Sequence, residues 1–364
     1  MNSVIIAKFG GSTIGVDGTS IPVIIQRINS LSKNAKVIAV FSAPLTNVEG
    51  KHRSLTDIAL DLGKRAENGE ISDLIILRKT YEKILELVSS EFQEKCKAII
   101  DDCLDKVRTE LEKAKEKKEF TDEVRSKTLA FSGEILMSHV MEYILQSNGI
   151  KSKVVGLDNW PIITDSNIES TNFLVSESNK KVEFLERLLD QNQVITIGGF
   201  IGRTNDGTIT TYERGGSDRT AADLGILLHK KLDVKIDLEK DSPVVSADPK
   251  IINDGLTHVQ NLSYNEARLA GMFGMNILDP IAIKEILENG VSMQIVITDI
   301  RNPQNITTIE RKSTNSNGHP IKIITGKKNC AILRMEDESA HKLLESLENK
   351  KRYSEFVILS PFTK

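Results

Sequence analysis

The sequence predicts an α/β fold around a mostly parallel sheet. Two observations carry this: strand-length apolar runs alternate with helical patterns from residue 1 to about residue 309, and two of those runs end in glycine clusters. The first run, residues 3–7, leads into Lys8-Phe9-Gly10-Gly11-Ser12-Thr13. Residues 36–41, 152–157, 234–238 and 291–297 are further strand candidates. From residue 55 to residue 127 the pattern turns helical and charge-rich, with Leu74, Leu77, Tyr81, Ile84, Leu85 and Val88 at three- and four-residue spacing. That stretch reads either as a helical insert covering one side of a site or as a plain surface hairpin. The run 194–197 precedes Gly198-Gly199-Phe200-Ile201-Gly202, and Thr211-Tyr212-Glu213-Arg214-Gly215-Gly216-Ser217-Asp218 opens a helical pattern over 220–228. Residues 313–318 are polar apart from the closing Gly318 and mark a linker. Beyond it, strand candidates at 321–324, 330–334 and 356–359 surround a helix candidate at 340–349.

A chain of 364 residues exceeds one core of ordinary size, so about two domains are expected. A net charge of −3 with 27% charged residues argues against a nucleic-acid footprint. The basic stretch 113–118 is interleaved with glutamates and reads as a solvated helix face. No signal peptide or membrane span is visible, since the apolar runs are strand-sized. Cys96, Cys103 and Cys330 lack metal-ligand spacing and read as reduced cysteines of a cytoplasmic protein.

The glycine clusters carry the chemistry. Glycines after a strand let backbone N–H groups converge on a phosphate, and Lys8 adds a mobile charge that follows phosphoryl oxygens. Read alone, the first cluster is equally a lysine ending an edge strand before an ordinary Gly-Gly turn. The second cluster opens a helix N-terminus, a natural polyphosphate site. It is neither a P-loop nor a G-x-G-x-x-G fingerprint. Two separated anion-binding turns suggest a phosphate chain held between two loops.

These residues resemble the aspartokinase branch of the amino-acid kinase family. The resemblance rests on residues 8–13, Ser132-Gly133-Glu134, Gly199-Phe200-Ile201-Gly202, Arg214-Gly215-Gly216-Ser217-Asp218 and Ser246-Ala247-Asp248-Pro249-Lys250, and on Leu262-Ser263-Tyr264-Asn265-Glu266-Ala267 and Asn302-Pro303. The motifs occur in the family's order and cover nearly the whole chain to Ile309. The resemblance implies the three-layer amino-acid-kinase fold over residues 1–309 with the insert at 55–127, a linker at 310–319, and a partial ACT-like regulatory domain at 320–364. It implies ATP-dependent phosphorylation of a small amino acid, with Mg2+ carried on the nucleotide, in a cytoplasmic homodimer with neither nucleic-acid nor membrane partners.

The resemblance also assigns roles. Lys8 would stabilise the transferred phosphoryl group and Asp218 would hold Lys8 and the second glycine loop in place, where the plain alternative for Asp218 is a helix N-cap. Glu134 would take the acceptor's ammonium and Arg214 its α-carboxylate, with Ser42 and Thr46 reading the far end and Asp165 near the same pocket. Without the resemblance, Glu134 is a first-turn helix residue favoured by the macrodipole. Gly10, Gly11, Ser12, Gly202, Gly215, Gly216, Asp248 and Lys250 would meet the nucleotide; a solvated lysine after a proline turn is the plain reading of Lys250. Magnesium would need no protein cage.

Three departures from the family pattern stand out. The Ser42–Thr46 loop is short and carries Pro44. The usual Trp-Thr-Asp stretch appears as Leu238-Glu239-Lys240-Asp241-Ser242-Pro243, with Val245 for a tyrosine. Asn276 stands where a lysine is usual and Asp279 where a histidine is usual. Three functions follow: aspartate phosphorylation to 4-phospho-aspartate, opening the lysine, threonine and methionine pathway, with compensation by Lys240 or Lys250; homoserine phosphorylation in a reshaped pocket; or a turnover-deficient regulatory subunit. Retention of Lys8, Glu134, Arg214 and Asp218 argues against the last.

Overall fold

The structure, a computed structural model, describes residues 3–70, 73–213, 215–249, 251–252, 254–275, 277–312, 322–326 and 342. Its strands are β1 (Ser3–Phe9), β2 (Lys36–Phe41), β3 (Leu45–Val48), β4 (Lys51–Ser54), β5 (Ser152–Val154), β6 (Val194–Gly198), β7 (Ile201–Arg203), β8 (Ile209–Thr211), β9 (Asp233–Lys240), β10 (Asn261–Ser263), β11 (Gln294–Asp299) and β12 (Ile306–Glu310). Eight of them form one sheet in the order β10-β12-β11-β9-β1-β2-β6-β5, while β3–β4 and β7–β8 pair separately. Every neighbour in the large sheet is parallel except β11 with β12. The mostly parallel sheet expected from the apolar runs is present.

β1 is central, flanked by β2 and β9. From it the next strands of the chain run outward on one side, and the later ones fill the other. Such a reversal leaves a crevice at the carboxyl ends of the strands, where ligands bind in open α/β sheets.

Side chains alternate between two cores. Val4 and Ile6 of β1 and Ile38 and Val40 of β2 face one, with Leu224 and Leu228 of the helix Gly216–Leu228. Ala7, Phe9, Val37, Ala39 and Phe41 face the other, with Ile24 and Ile28 of the helix Ile21–Ser32. Buried on both faces, these strands read as continuous apolar runs rather than as alternation.

The stretch 55–127 is helical, through Leu55–Glu67, Ile75–Leu85, Ser90–Lys117 and the start of Asp122–Ser132. Leu77, Tyr81 and Ile84 are wholly buried and belong to the same core as Phe9 and Phe41. It is therefore not a plain surface hairpin but the cover of one sheet face. Cys96 and Cys103 are free and buried within it, and burial pushes both thiols up to about 12.

Some expectations shift. Lys8 lies inside β1, opposite Val40 and Leu238, so it does not end an edge strand. The strand expected at 152–157 stops at Val154, and a 3-10 turn follows at Leu157–Asn159. That expected at 291–297 begins only at Gln294. Near the C-terminus, Ile324 forms a parallel bridge with Ala247, and its N–H donates to the Ser246 carbonyl at 2.8 Å. Thr325 donates to the Phe273 carbonyl at 2.9 Å, and Lys322 pairs with Glu266 at 3.0 Å. The linker at 313–318, the later elements of the ACT-like tail and Cys330 lie outside the described residues.

If the insert is part of the core, Leu104→Ala, at a fully buried site, should lower stability by about 2–5 kcal/mol in urea denaturation. Truncating the exposed Leu87 should change it by less than about 0.5 kcal/mol. Equal, small effects at both would detach the insert from the core.

Candidate active site

The carboxyl ends of β1, β2, β6 and β9 open into one cleft of about 650 Å³. Lys8 lines it because the face of β1 that carries Val4 and Ile6 inward reaches the end of the core at the next same-side position. There the first turn of the helix Gly216–Leu228 meets it: Lys8 Nζ lies 2.8 Å from Asp218 Oδ1. Asp218 is not the N-cap, a position held by Gly215 in the left-handed region at φ +93°, where other residues are strained. Its second oxygen accepts from the Asp279 backbone N–H at 3.1 Å. Burial alone would raise the Asp218 carboxyl; the Lys8 and Lys240 charges and the two hydrogen bonds hold it below its usual range. The pair is thus charged and fixed from both sides.

Gly10 and Gly11 follow β1, with Gly10 capping the short helix Gly11–Ile14. A side chain on Gly11 would come within 2.7 Å of the Ala43 carbonyl, so only glycine lets the loops after β1 and β2 approach this closely. Thr13 ties the turn to β9 by donating to the Glu239 carbonyl at 2.9 Å. Ser12, Gly215, Gly216 and Asp248 line the same cleft.

Glu134 begins the helix Glu134–Ser147 and is buried, with Oε1 accepting from the Ala43 N–H at 3.2 Å. Its Oε2 has no hydrogen-bond partner among the described residues. Burial pushes its carboxyl up to about 7 against the pull of the Ala43 and helix N–H groups. Tyr81 of the insert holds the preceding turn, donating to the Ser132 and Gly133 carbonyls at 3.0 and 3.1 Å. Ser42 donates to Ser217 Oγ at 2.9 Å, joining the loop after β2 to the second glycine turn.

A model of the amino acid kinase family matches residues 3–299. The chain belongs to the amino acid kinase family. Among curated proteins, the aspartokinase of Rickettsia felis is 30% identical over 209 residues, covering 57% of this chain and 50% of that protein. The chloroplastic bifunctional aspartokinase/homoserine dehydrogenase 2 of Arabidopsis thaliana is 30% identical over 174 residues, 48% of this chain and 18% of that one. The chain spans half or less of the length of these relatives. The crystal structure of E. coli aspartokinase III in complex with aspartate and ADP matches with a TM-score of 0.72 at 20% identity, over 86% of this chain and 65% of that one. The Clostridium acetobutylicum aspartate kinase matches at 0.62 and 22% identity, over 95% and 73%. At these identities the structural likeness establishes the fold.

Not every expected site residue of this member of the amino acid kinase family reaches the cleft. Thr46 turns away and is buried, donating to Asp17 Oδ1 and accepting from Thr80, both at 2.9 Å. Gly202 sits in the β7–β8 pair against Thr164 and Thr210. Asp165 organises its own turn, accepting from Thr171 and from the Asn167 and Asn172 backbones. Asp279, in place of the usual histidine, caps the helix Pro280–Glu288 and anchors Asp218 through its backbone. Arg214, Lys250 and Asn276 lie outside the described residues.

Other residues lining the cleft carried no assigned role in the sequence. Ser54, Thr56 and Asp57 belong to the N-terminus of the helix Leu55–Glu67, which Ser54 caps by accepting from Thr56 N–H at 3.1 Å. Ser54 before an amphipathic run was the legible cap signal. Glu239 also lines the cleft, backed by Arg27, whose guanidinium donates to Glu239 at 2.5 Å and Asp237 at 2.9 Å. Burial, then the neighbouring Asp237, pushes Glu239 up to about 8.

The raised Glu134 carboxyl fixes a pH dependence. Because the folded state holds this proton more tightly than the unfolded one, its contribution to stability is complete below about pH 4.5 and is lost as pH rises through about 7. Glu134→Gln should therefore gain stability over the native protein above pH 7, by an amount on the order of 3 kcal/mol, and the gain should vanish near pH 4. Chemical denaturation across that range would refute this if the difference were constant with pH.

Proposed function

We propose that this protein is an ATP-dependent kinase of a small amino acid, with aspartate as acceptor and 4-phospho-aspartate as product. The observation that carries the reading is the fixed Lys8–Asp218 pair sharing one cleft with the buried Glu134. Phosphoryl transfer asks a protein chiefly for positioning and charge neutralisation. Lys8 neutralises charge on the transferred group; Asp218 keeps the ammonium aimed into the cleft and itself stays ionised. The glycine turn after β1 offers its N–H groups to the phosphates.

Glu134 presents, in a desolvated pocket, an oxygen with no partner among the described residues. An acceptor's ammonium would supply the missing partner and return the carboxylate to its charged form. Arg214 is the proposed partner of the α-carboxylate, and Lys250 of the nucleotide. Magnesium, if carried in with the nucleotide, would supply neutralisation of phosphate charge. The carboxylates of Asp241 and Asp248, hard oxygen donors lining the nucleotide side, suit its water shell.

One observation favours a second acceptor. The cleft that Glu134 lines also offers the hydroxyls of Ser42, Ser54 and Thr56, with Asp57 among its lining residues. Neutral donors and an acid suit a terminal hydroxyl, as in homoserine, better than a second carboxylate. Relatives named as aspartokinases favour aspartate. ADP release measured with each amino acid, with acyl phosphate trapped as the hydroxamate, separates the two. Absence of turnover with both would leave a regulatory subunit. Lys8→Ala should keep the fold by circular dichroism yet lower kcat by about 10²–10³-fold; undiminished turnover would remove Lys8 from the chemistry.

A further inference from the structure

Lys240 is the last residue of β9 and lines the cleft. Ile236 and Leu238 of β9 face the same core as Val4 and Ile6 of β1, so Lys240 and Lys8 continue the same sheet face. Lys8 stands opposite Leu238 in register, which makes Lys240 its diagonal neighbour on the adjoining strand. The Lys240 carbonyl accepts from the Ile300 N–H at 2.8 Å, fixing the end of the strand. We propose that Lys240 is a second phosphate-binding lysine, which holds the nucleotide's polyphosphate beside Lys8.

The charge inventory of the cleft supports this. Among the described lining residues the cations are Lys8 and Lys240, against the carboxylates of Asp57, Asp218, Asp241 and Asp248, while Glu134 and Glu239 are pushed by burial towards the neutral form. Lys8 is ion-paired to Asp218 at 2.8 Å. A polyphosphate entering so acidic a cleft needs a further protein cation on the nucleotide side, where Lys240 adjoins Asp241, Ser242 and Pro243. Lys240 is already felt there: with Lys8 it depresses the Asp218 carboxyl. Burial, and secondarily Lys8, lowers its own ammonium to about 8, while Asp218 and Asp241 pull the other way. An arriving phosphate would relieve that loss, so the lysine gains from the ligand more than a solvated lysine would. The same stretch carries the altered residues Leu238 to Pro243, which gives the departure a function.

The proposal rests on nucleotide binding by this protein, and the test separates the two. ADP affinity by calorimetry and adenosine affinity by saturation-transfer NMR are measured for the native protein, Lys240→Met and Lys240→Arg. Expected is a loss of ADP affinity of about tenfold to a hundredfold in Lys240→Met, with adenosine affinity kept within about twofold and ADP affinity largely recovered in Lys240→Arg. Native-like ADP binding by Lys240→Met, or parallel loss of adenosine and ADP, overturns the role of Lys240 alone. A native protein that binds neither ligand overturns the nucleotide reading and this proposal together. Should Lys240→Met fail to fold, the Lys240 side-chain carbon resonance of the native protein, assigned with Lys240→Arg, must move with ADP and stay still with adenosine; a signal indifferent to ADP overturns the proposal.

Discussion

The ion pair between Lys8 and Asp218 is the interaction on which the rest of the site is organised. It joins the central strand of the sheet to the first turn of a helix more than two hundred residues later in the chain. Nearly every element of the cleft is placed by reference to that junction. Gly215 starts the helix where the aspartate can reach the lysine, and the Asp279 backbone closes the other side of the carboxylate. A buried pair of this kind stabilises little on its own, because desolvation opposes the Coulomb attraction. Its value is geometric: with both groups charged and held, the ammonium cannot drift from the place where phosphoryl oxygens would arrive.

Glu134 shows the opposite electrostatic strategy. Asp218 is buried and kept ionised by cations, whereas Glu134 is pushed by burial towards the neutral form. Two carboxyls in one cleft are thereby tuned apart, one for permanent charge and one responsive to what enters. The helical insert contributes to the second through Tyr81, which grips the carbonyls of the turn just before Glu134. A segment that looks like a surface addition in the sequence is in this way part of the wall of the pocket.

The parallel sheet and the glycine turns were legible because each leaves a local trace, an apolar run or a glycine cluster. The pairing of Lys8 with Asp218, far apart in the chain, leaves none and was expected only from the family resemblance. Thr46 and Gly202 were misplaced for a different reason. Motif order along the chain fixes neighbours in sequence but not which way a side chain turns, and Thr46 is drawn away from the cleft by Asp17 and Thr80, which no local pattern announces. Glu239 lies in an altered stretch but drew no individual role, because its partner Arg27 sits on another element far away in the chain. Asp279 read as a lost histidine; in space it replaces side-chain chemistry with a helix cap and a backbone contact. Lys240 carried only a general suggestion of compensation until register placed it on the same sheet face as Lys8.

The return of residues 322–326 to the loop after β9 has a mechanical meaning. Ile324 bonds to Ser246 and bridges Ala247, Thr325 holds the carbonyl of Phe273, and Lys322 holds Glu266. The chain leaves the sheet at β12 and comes back to clamp the rim of the cleft near Val245 and Asp248. Any load on the polypeptide beyond residue 326 is therefore in series with that rim: tension there is borne by the Thr325 bond to Phe273 and then by the Ile324 backbone bond to Ser246, two residues from Asp248, before it reaches the sheet.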